Sequence, residues 1–150
     1  MTNICVVGLG KMGLPVAALF ASKGNRVVGA DINPAVVDAI NAGTSPIDNE
    51  PGLDEMIQES VALGNLRATT QTTDAVRASE VVIVLVPLLV DPAQQYEPTY
   101  GPLESAMRAI GAGIQPGALV ILETTLPVGD TRNRLGPIIE QISGLRAGHD

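Results

Sequence analysis

Short apolar runs alternate with stretches of helical spacing from the first residues of the chain onward. Asn3–Val7 (NICVV) is a β-rich run that stops at Gly8. From about Gly13 to Ser22 the apolar positions Leu14, Ala17, Ala18 and Ala21 recur at helical spacing, and Gly24 is placed as a helix C-cap. Arg26–Ala30 (RVVGA) predicts a second strand, closed by Asp31. Asn33-Pro34 is a start signal, a capping Asn followed by Pro at the first helical position; that helix runs to about Ala42 and stops at Gly43. Thr44–Gly52 is turn chemistry, and a helix from about Leu53 to Leu63 follows, stopped by Gly64. Leu66–Thr70 predicts a third strand, and Thr73–Ser79 a short helix with Thr72 or Thr73 as its cap. Val81–Val86 (VVIVLV) is the strongest strand, apolar on both faces as an interior parallel strand requires. Asp91–Pro102 reads as a long polar loop with three prolines. A helix over about Leu103–Ile114, a turn at Pro116-Gly117, a fifth strand at Ala118–Leu122 and a last helix from about Asp130 to Ile142 complete the pattern.

Strands alternating with helices predict right-handed crossovers and an α/β fold, a doubly wound parallel sheet between helices in three αβα layers. Five strands are expected. The six-stranded form, in the order 3-2-1-4-5-6, needs one more after the last helix, where Ser143–Asp150 reads as a turn and a tail. The expectation is one domain over residues 1–150 that stops short of its last strand.

Composition agrees. The chain has 150 residues, 45% of them apolar and only 2% aromatic, so its core is built from Val, Ile, Leu and Ala. The net charge of −7 and the lack of a basic stretch argue against a nucleic-acid partner. The single cysteine, Cys5, excludes an intramolecular disulfide framework and a Cys-based zinc site, and its place in the first apolar run predicts a small core residue. The one histidine, His149, lies next to the C-terminus and does not argue for catalysis. There is no basic leader, and the longest apolar run, Val81–Val90, is broken by Pro87 and too short to cross a bilayer. A soluble, cytoplasmic protein without a membrane partner is expected.

Gly8-Leu9-Gly10-Lys11-Met12-Gly13 is a G-x-G-x-x-G that directly follows a strand and opens a helix. Gly8 allows the tight turn, Gly10 lets a pyrophosphate approach the backbone, and Gly13 lets the helix lie close to the strand. The helix N-terminus offers N–H groups and its positive end, with Lys11 and Met12 between the glycines. Asp31 stands about 20 residues on, at the end of the second strand, where a carboxylate accepts ribose hydroxyls and repels a 2′-phosphate. Arg26 is at the start of that strand, away from Asp31, and is poorly placed to receive the phosphate of NADP, so NAD is the expected cofactor. The plain alternative is three ordinary turn glycines.

The motifs resemble the UDP-glucose/GDP-mannose dehydrogenases, NAD-dependent nucleotide-sugar 6-dehydrogenases with a Rossmann-like domain. GLGKMGLPVA (Gly8–Ala17) is similar to that family's GLGYVGLPLA opening, and DINPAVVDAINAG (Asp31–Gly43) to its second βα unit. SPIDNEPGLDEMI (Ser45–Ile57), VPLLVDP (Val86–Pro92) and LETTLPVGDT (Leu122–Thr131) resemble its P-I-x-E-P-G-L segment, its V-P-T-P loop and its E/K-S-T-V-P-x-G-T loop, in the same order. The resemblance implies oxidation of a sugar C6 alcohol to a carboxylate in two NAD-dependent steps. It implies a thiohemiacetal on a downstream cysteine, assisted by a downstream lysine and aspartate. It implies a central helix and a substrate domain beyond this chain, a homodimer, and a role in polysaccharide biosynthesis. Within this chain it gives Thr125 the positioning of a catalytic water and puts Val86, Pro87, Leu88 and Thr125 itself beside the cofactor. Glu123 tilts the substrate toward a UDP-N-acetylhexosamine, with UDP-glucose as the other choice; the plain reading is a strand-end carboxylate in water.

Three departures remove or move a polar handle. Val36 stands where the family has Lys or Arg, Leu88 where it has a Thr, and Lys11 where it has a Tyr. GLGKMG also resembles the β-hydroxyacid dehydrogenases, against which Glu50–Leu53 and the extra helix argue. A third reading is a free-standing NAD-binding module. With Cys5 in a strand and Lys11 and Lys23 the only lysines, the chain alone is expected to lack dehydrogenase turnover.

Overall fold

The structure, a computed structural model, describes residues 1–91 and 96–150. Its strands are β1 (Asn3–Val7), β2 (Arg26–Ala30), β3 (Leu66–Thr69), β4 (Val81–Val84), β5 (Leu89–Asp91), β6 (Glu97–Thr99) and β7 (Leu119–Leu122). Its helices are α1 (Gly13–Ser22), α2 (Pro34–Asn41), α3 (Leu53–Ala62), α4 (Thr72–Arg77), α5 (Gly101–Gly113) and α6 (Gly136–Ser143). Five strands form one sheet in the order β3-β2-β1-β4-β7, and all four pairings are parallel. This is the doubly wound sheet that the alternating pattern predicts.

The two faces of β1 show why the core needs no aromatics. Ile4 and Val6 join Leu14, Ala17, Ala18, Ile40 and Ile57 under α1, α2 and α3. Cys5 and Val7 face the other way, toward Val76, Leu103, Met107, Ile110 and Leu135. Small and branched side chains fill both gaps, so a bulkier residue has no place to go. The cap on α2 forms as expected, with the Asn33 side chain accepting from the Ala35 N–H at 3.0 Å.

Several boundaries differ from the sequence reading. The strand expected over Val81–Val86 ends at Val84, because its partner β1 ends at Val7 and the chain turns away at Gly8. Neither Thr72 nor Thr73 caps α4; Gln71 precedes the helix, and the Thr73 hydroxyl donates to the Ala109 carbonyl of α5 at 3.1 Å. The loop expected over Asp91–Pro102 contains structure at both ends. β5 and β6 form an antiparallel ribbon, and α5 starts at Gly101 with Pro102 in its first turn, where the fixed φ of proline fits. Pro92 of that loop lies outside the described residues. The last helix begins with a π-helical turn, Thr131–Leu135, and only then becomes α6. Pro137 explains the widening, since its ring crowds the carbonyl four residues back and it has no N–H to return.

The two edges of the sheet are finished differently. At β3 the Asn41 side chain reaches from the end of α2 and acts as a substitute strand. Its Oδ1 accepts from the Ala68 N–H at 2.7 Å and its Nδ2 donates to the Ala68 carbonyl at 3.0 Å. At β7, Leu119 and Glu123 donate inward to Glu80 and Val84, so the N–H groups of Val120 and Leu122 point outward. A groove of about 560 Å³ lies along that edge, beside α6. Asn41→Ala removes both bonds at Ala68 and is expected to lower the unfolding free energy by about 1–3 kcal/mol, read from urea denaturation. An unchanged midpoint would mean that water serves β3 equally well.

Candidate functional site

The sheet register assembles the site. Val7 pairs with Ala30 on one side and Val84 on the other, and Val84 pairs with Leu122. The residues that follow are Asp31, Gly8, Leu85 and Glu123, which therefore form a row beyond the carboxyl ends of four strands. With parallel strands about 4.8 Å apart, the row is about 14 Å long. Backbone bonds continue the ladder into it: Gly8 N–H to Ala30 at 2.8 Å, Leu85 N–H to Val7 at 2.8 Å and Glu123 N–H to Val84 at 3.1 Å. The point where strand order reverses, between β1 and β4, lies at Gly8 and Leu85, the place where open α/β sheets hold ligands.

The three glycines of the turn have separate reasons to be glycine. Gly8 has a φ of +92°, and a Cβ there would stand 3.1 Å from the Leu85 carbonyl carbon. At Gly13 a Cβ would run into the Gly8 carbonyl oxygen, so α1 can start where it does only without one. At Gly10 a Cβ would meet nothing within 4 Å. Folding thus accounts for Gly8 and Gly13 but not for Gly10, and the space above Gly10 is open to a ligand. Met12 makes no side-chain capping bond and the first turn of α1 carries no acid, so the positive end of the helix faces that space. Lys11 and Met12 are both exposed beside it.

Asp31 is engaged on both oxygens. Its Oδ2 accepts from the Leu9 N–H at 2.8 Å and its Oδ1 from the Asn33 N–H at 2.9 Å. A carboxylate has about four lone-pair sites, so each oxygen keeps room for a ligand hydroxyl. Arg26 is at the opposite end of β2. Leu9 belongs to this arrangement as well, through its N–H. Its side chain is buried against Gly29, where a Cβ would fall 2.6 Å from a Leu9 methyl carbon. A lone glycine inside a strand pattern is the signal that points to such a close approach.

Beyond β4, Val86 and Leu88 are half-buried and Pro87 is exposed. The Thr124 hydroxyl, which no sequence signal singled out, donates to the Val86 carbonyl at 2.7 Å and ties the two strand ends together. Thr125 follows it, exposed, and Glu123 is exposed at the end of the row. Val36 packs against the core instead of facing the row. Cys5 is fully buried, and burial pushes its thiol up to about 12, against a smaller opposing effect of the Arg67 charge. That thiol is neither accessible nor ionised at neutral pH. Among the described residues, no group of three His, Cys, Asp or Glu side chains is placed to share a metal ion.

Residues 2–150 match the family described as the UDP-glucose/GDP-mannose dehydrogenase family, NAD binding domain. The chain is 40% identical over 148 residues to a UDP-N-acetyl-D-mannosamine dehydrogenase of Pyrococcus horikoshii, covering 99% of this chain and 34% of that protein. It is 38% identical to a GDP-mannose 6-dehydrogenase of Azotobacter vinelandii, again with 99% and 34% covered. The crystal structure of a ternary complex of a GDP-mannose dehydrogenase from Pseudomonas aeruginosa is similar with a TM-score of 0.92 at 32% identity, covering 99% of this chain and 34% of that one. The chain thus spans about a third of the length of these relatives.

The different reasons for the glycines separate folding from binding. Gly13→Ala is expected to lower the unfolding free energy by about 1–3 kcal/mol, because backbone must move to admit the methyl group. Gly10→Ala is expected to leave stability within about 0.5 kcal/mol, the range of a surface change. It should nevertheless weaken NAD binding by about tenfold or more, a loss near 1.4 kcal/mol. Thermal melts and calorimetric titrations of the two variants check both statements.

Proposed function

This chain belongs to the UDP-glucose/GDP-mannose dehydrogenase family as its NAD-binding domain, and from that premise we propose that it is the cofactor-holding part of an enzyme oxidising the C6 alcohol of a nucleotide sugar to a carboxylate. The observation that carries this reading is the single row of Asp31, Gly8, Leu85 and Glu123, with open space over Gly10. Gly8, Gly10, Lys11, Met12 and Gly13 receive the pyrophosphate against the start of α1. Asp31 accepts the adenosine ribose hydroxyls with its remaining lone pairs, and its charge turns away a 2′-phosphate. Val86, Pro87 and Leu88 flank the cofactor on the β4 side, and Thr125 faces it from the end of β7 and positions a water. Bound NAD supplies the hydride acceptor for the two oxidation steps.

The nucleophile comes from outside this chain. A thiolate must be exposed and ionised to attack, and Cys5 is neither. The substrate class is a UDP-N-acetylhexosamine. Glu123 supports this, as does the 40% identity to a UDP-N-acetyl-D-mannosamine dehydrogenase. The outward N–H groups of β7 and the groove beside them support a further parallel strand there, contributed by the longer parent enzyme. On the family resemblance, that parent is a cytoplasmic homodimer. No helix among the described residues is long and apolar enough to cross a membrane.

Calorimetry on the purified chain with NAD and NADP tests the cofactor assignment. NAD is expected to bind more tightly by about tenfold or more, since the 2′-phosphate would be set against the Asp31 carboxylate. Equal or tighter binding of NADP would refute the role given to Asp31. The same protein mixed with NAD and a UDP-sugar is expected to produce no NADH absorbance at 340 nm.

A further inference from the structure

The loop from Glu123 to Asp130 carries Thr125 between two attachments. At its start, the Glu123 N–H donates to the Val84 carbonyl at 3.1 Å and the Thr124 hydroxyl to the Val86 carbonyl at 2.7 Å, so this end is fastened to β4. Leu126 packs against the core, while Pro127 and Val128 are exposed. The chain then turns, with Gly129 at a φ of +94° and the Asp130 N–H donating to the Pro127 carbonyl at 3.1 Å. At this far end the Tyr100 phenol, on the residue that precedes α5, donates to the Asp130 carboxylate. The Arg134 guanidinium lies 3.6 Å above the centre of the Tyr100 ring, and its Nε donates to Glu104 in the first turn of α5 at 3.0 Å.

We propose that Tyr100, acting through Asp130, is a positioning residue that fastens the Thr125 loop to the start of α5 and so holds Thr125 over the carboxyl edge of the sheet. The inference rests on the reading that Thr125 faces the bound cofactor. Along the chain Asp130–Tyr100–Arg134–Glu104 a carboxylate accepts from a neutral phenol, the ring of that phenol meets a guanidinium, and the guanidinium donates to a second carboxylate, so each group has a complementary neighbour on both sides. A bond from a neutral hydroxyl to a carboxylate is short and charge-assisted, and the cation above the ring adds to it. The network joins residues 30 positions apart at the end of the sheet that holds the site. Beyond Asp130 the chain continues into the π-helical turn, whose Leu135 is buried with Leu103 and Met107 of α5, so the network closes the stretch between Leu126 and that anchor. The hydrogen bond to Asp130 is also the chief reason that the Tyr100 phenol holds its proton above the ordinary tyrosine range.

The test compares the 150-residue chain with Tyr100→Phe, Asp130→Ala and Asp130→Asn. Amide exchange at Asp130, Arg132 and Asn133, whose N–H groups donate to the Pro127 and Gly129 carbonyls, is expected to speed up about tenfold in Tyr100→Phe and Asp130→Ala, as local opening becomes easier. Asp130→Asn, whose amide oxygen still accepts from a phenol, is expected to restore most of the protection. In a Tyr96→Phe background the tyrosinate absorbance reports on Tyr100 alone; it is expected to develop above pH 10 and to move back toward 10 with Asp130→Ala. NAD affinity is expected to fall about three- to tenfold in Tyr100→Phe and Asp130→Ala, the scale of one lost hydrogen bond. Unchanged exchange in both variants would overturn the proposal, as would unchanged NAD affinity in variants of a wild type that binds NAD. Faster exchange in a protein whose wild type binds no NAD would support the fastening of the loop and refute the reading of Thr125.

Discussion

The Cα of Gly13 lies so close to the Gly8 carbonyl that no β-carbon fits between them. That approach fixes where α1 begins relative to the end of β1, and most of the site follows from it. Once α1 starts there, its amino end is aimed across the row of strand ends. Leu9 is carried inward, its side chain over Gly29 and its N–H against Asp31. Strand, turn, helix and second strand are thereby set in one arrangement before any ligand arrives. A cradle held by backbone bonds and packing loses little freedom on binding, which is where loosely ordered sites lose affinity.

Asp31 links this constraint to chemistry. A carboxylate at the end of β2 is costly to leave without donors once partly removed from water, and two backbone N–H groups meet it. The same two bonds hold the turn in register with β2. The residue that would recognise a ribose is thus also a brace for the neighbouring glycines, and a change there alters the turn as well as the ligand contacts. Stability and recognition are separable at Gly10 and inseparable at Asp31.

Elements that depend on local pattern could be read directly from the chain. The apolar stripe of α1, the Asn33 cap and the two-faced burial of β1 and β4 needed only periodicity and turn residues. The glycine turn and Asp31 could be read because motif and spacing coincide with strand and helix ends. What escaped was decided at a distance. Thr73 turned from capping its helix to bonding Ala109, and Thr124 found Val86 across 38 residues. The π-helical turn before α6 arises from Pro137 meeting a helix whose Leu135 is already anchored in the core. The β5–β6 ribbon is too short, at three residues a strand, for alternation to be visible among prolines. The contacts of Tyr100 with Asp130 and Arg134 join segments that no local rule relates.

The amide of Asn41 gives the sheet a direction of growth. It fills the hydrogen-bonding places of Ala68 with a side chain that cannot be extended, so no foreign strand can add beside β3 there. At the other margin the outward N–H groups of Val120 and Leu122 face a groove lined by the chain's own Leu145, Arg146 and Asp150. The sheet can therefore lengthen on one side only, beside β7, while the Asn41 amide closes it at Ala68.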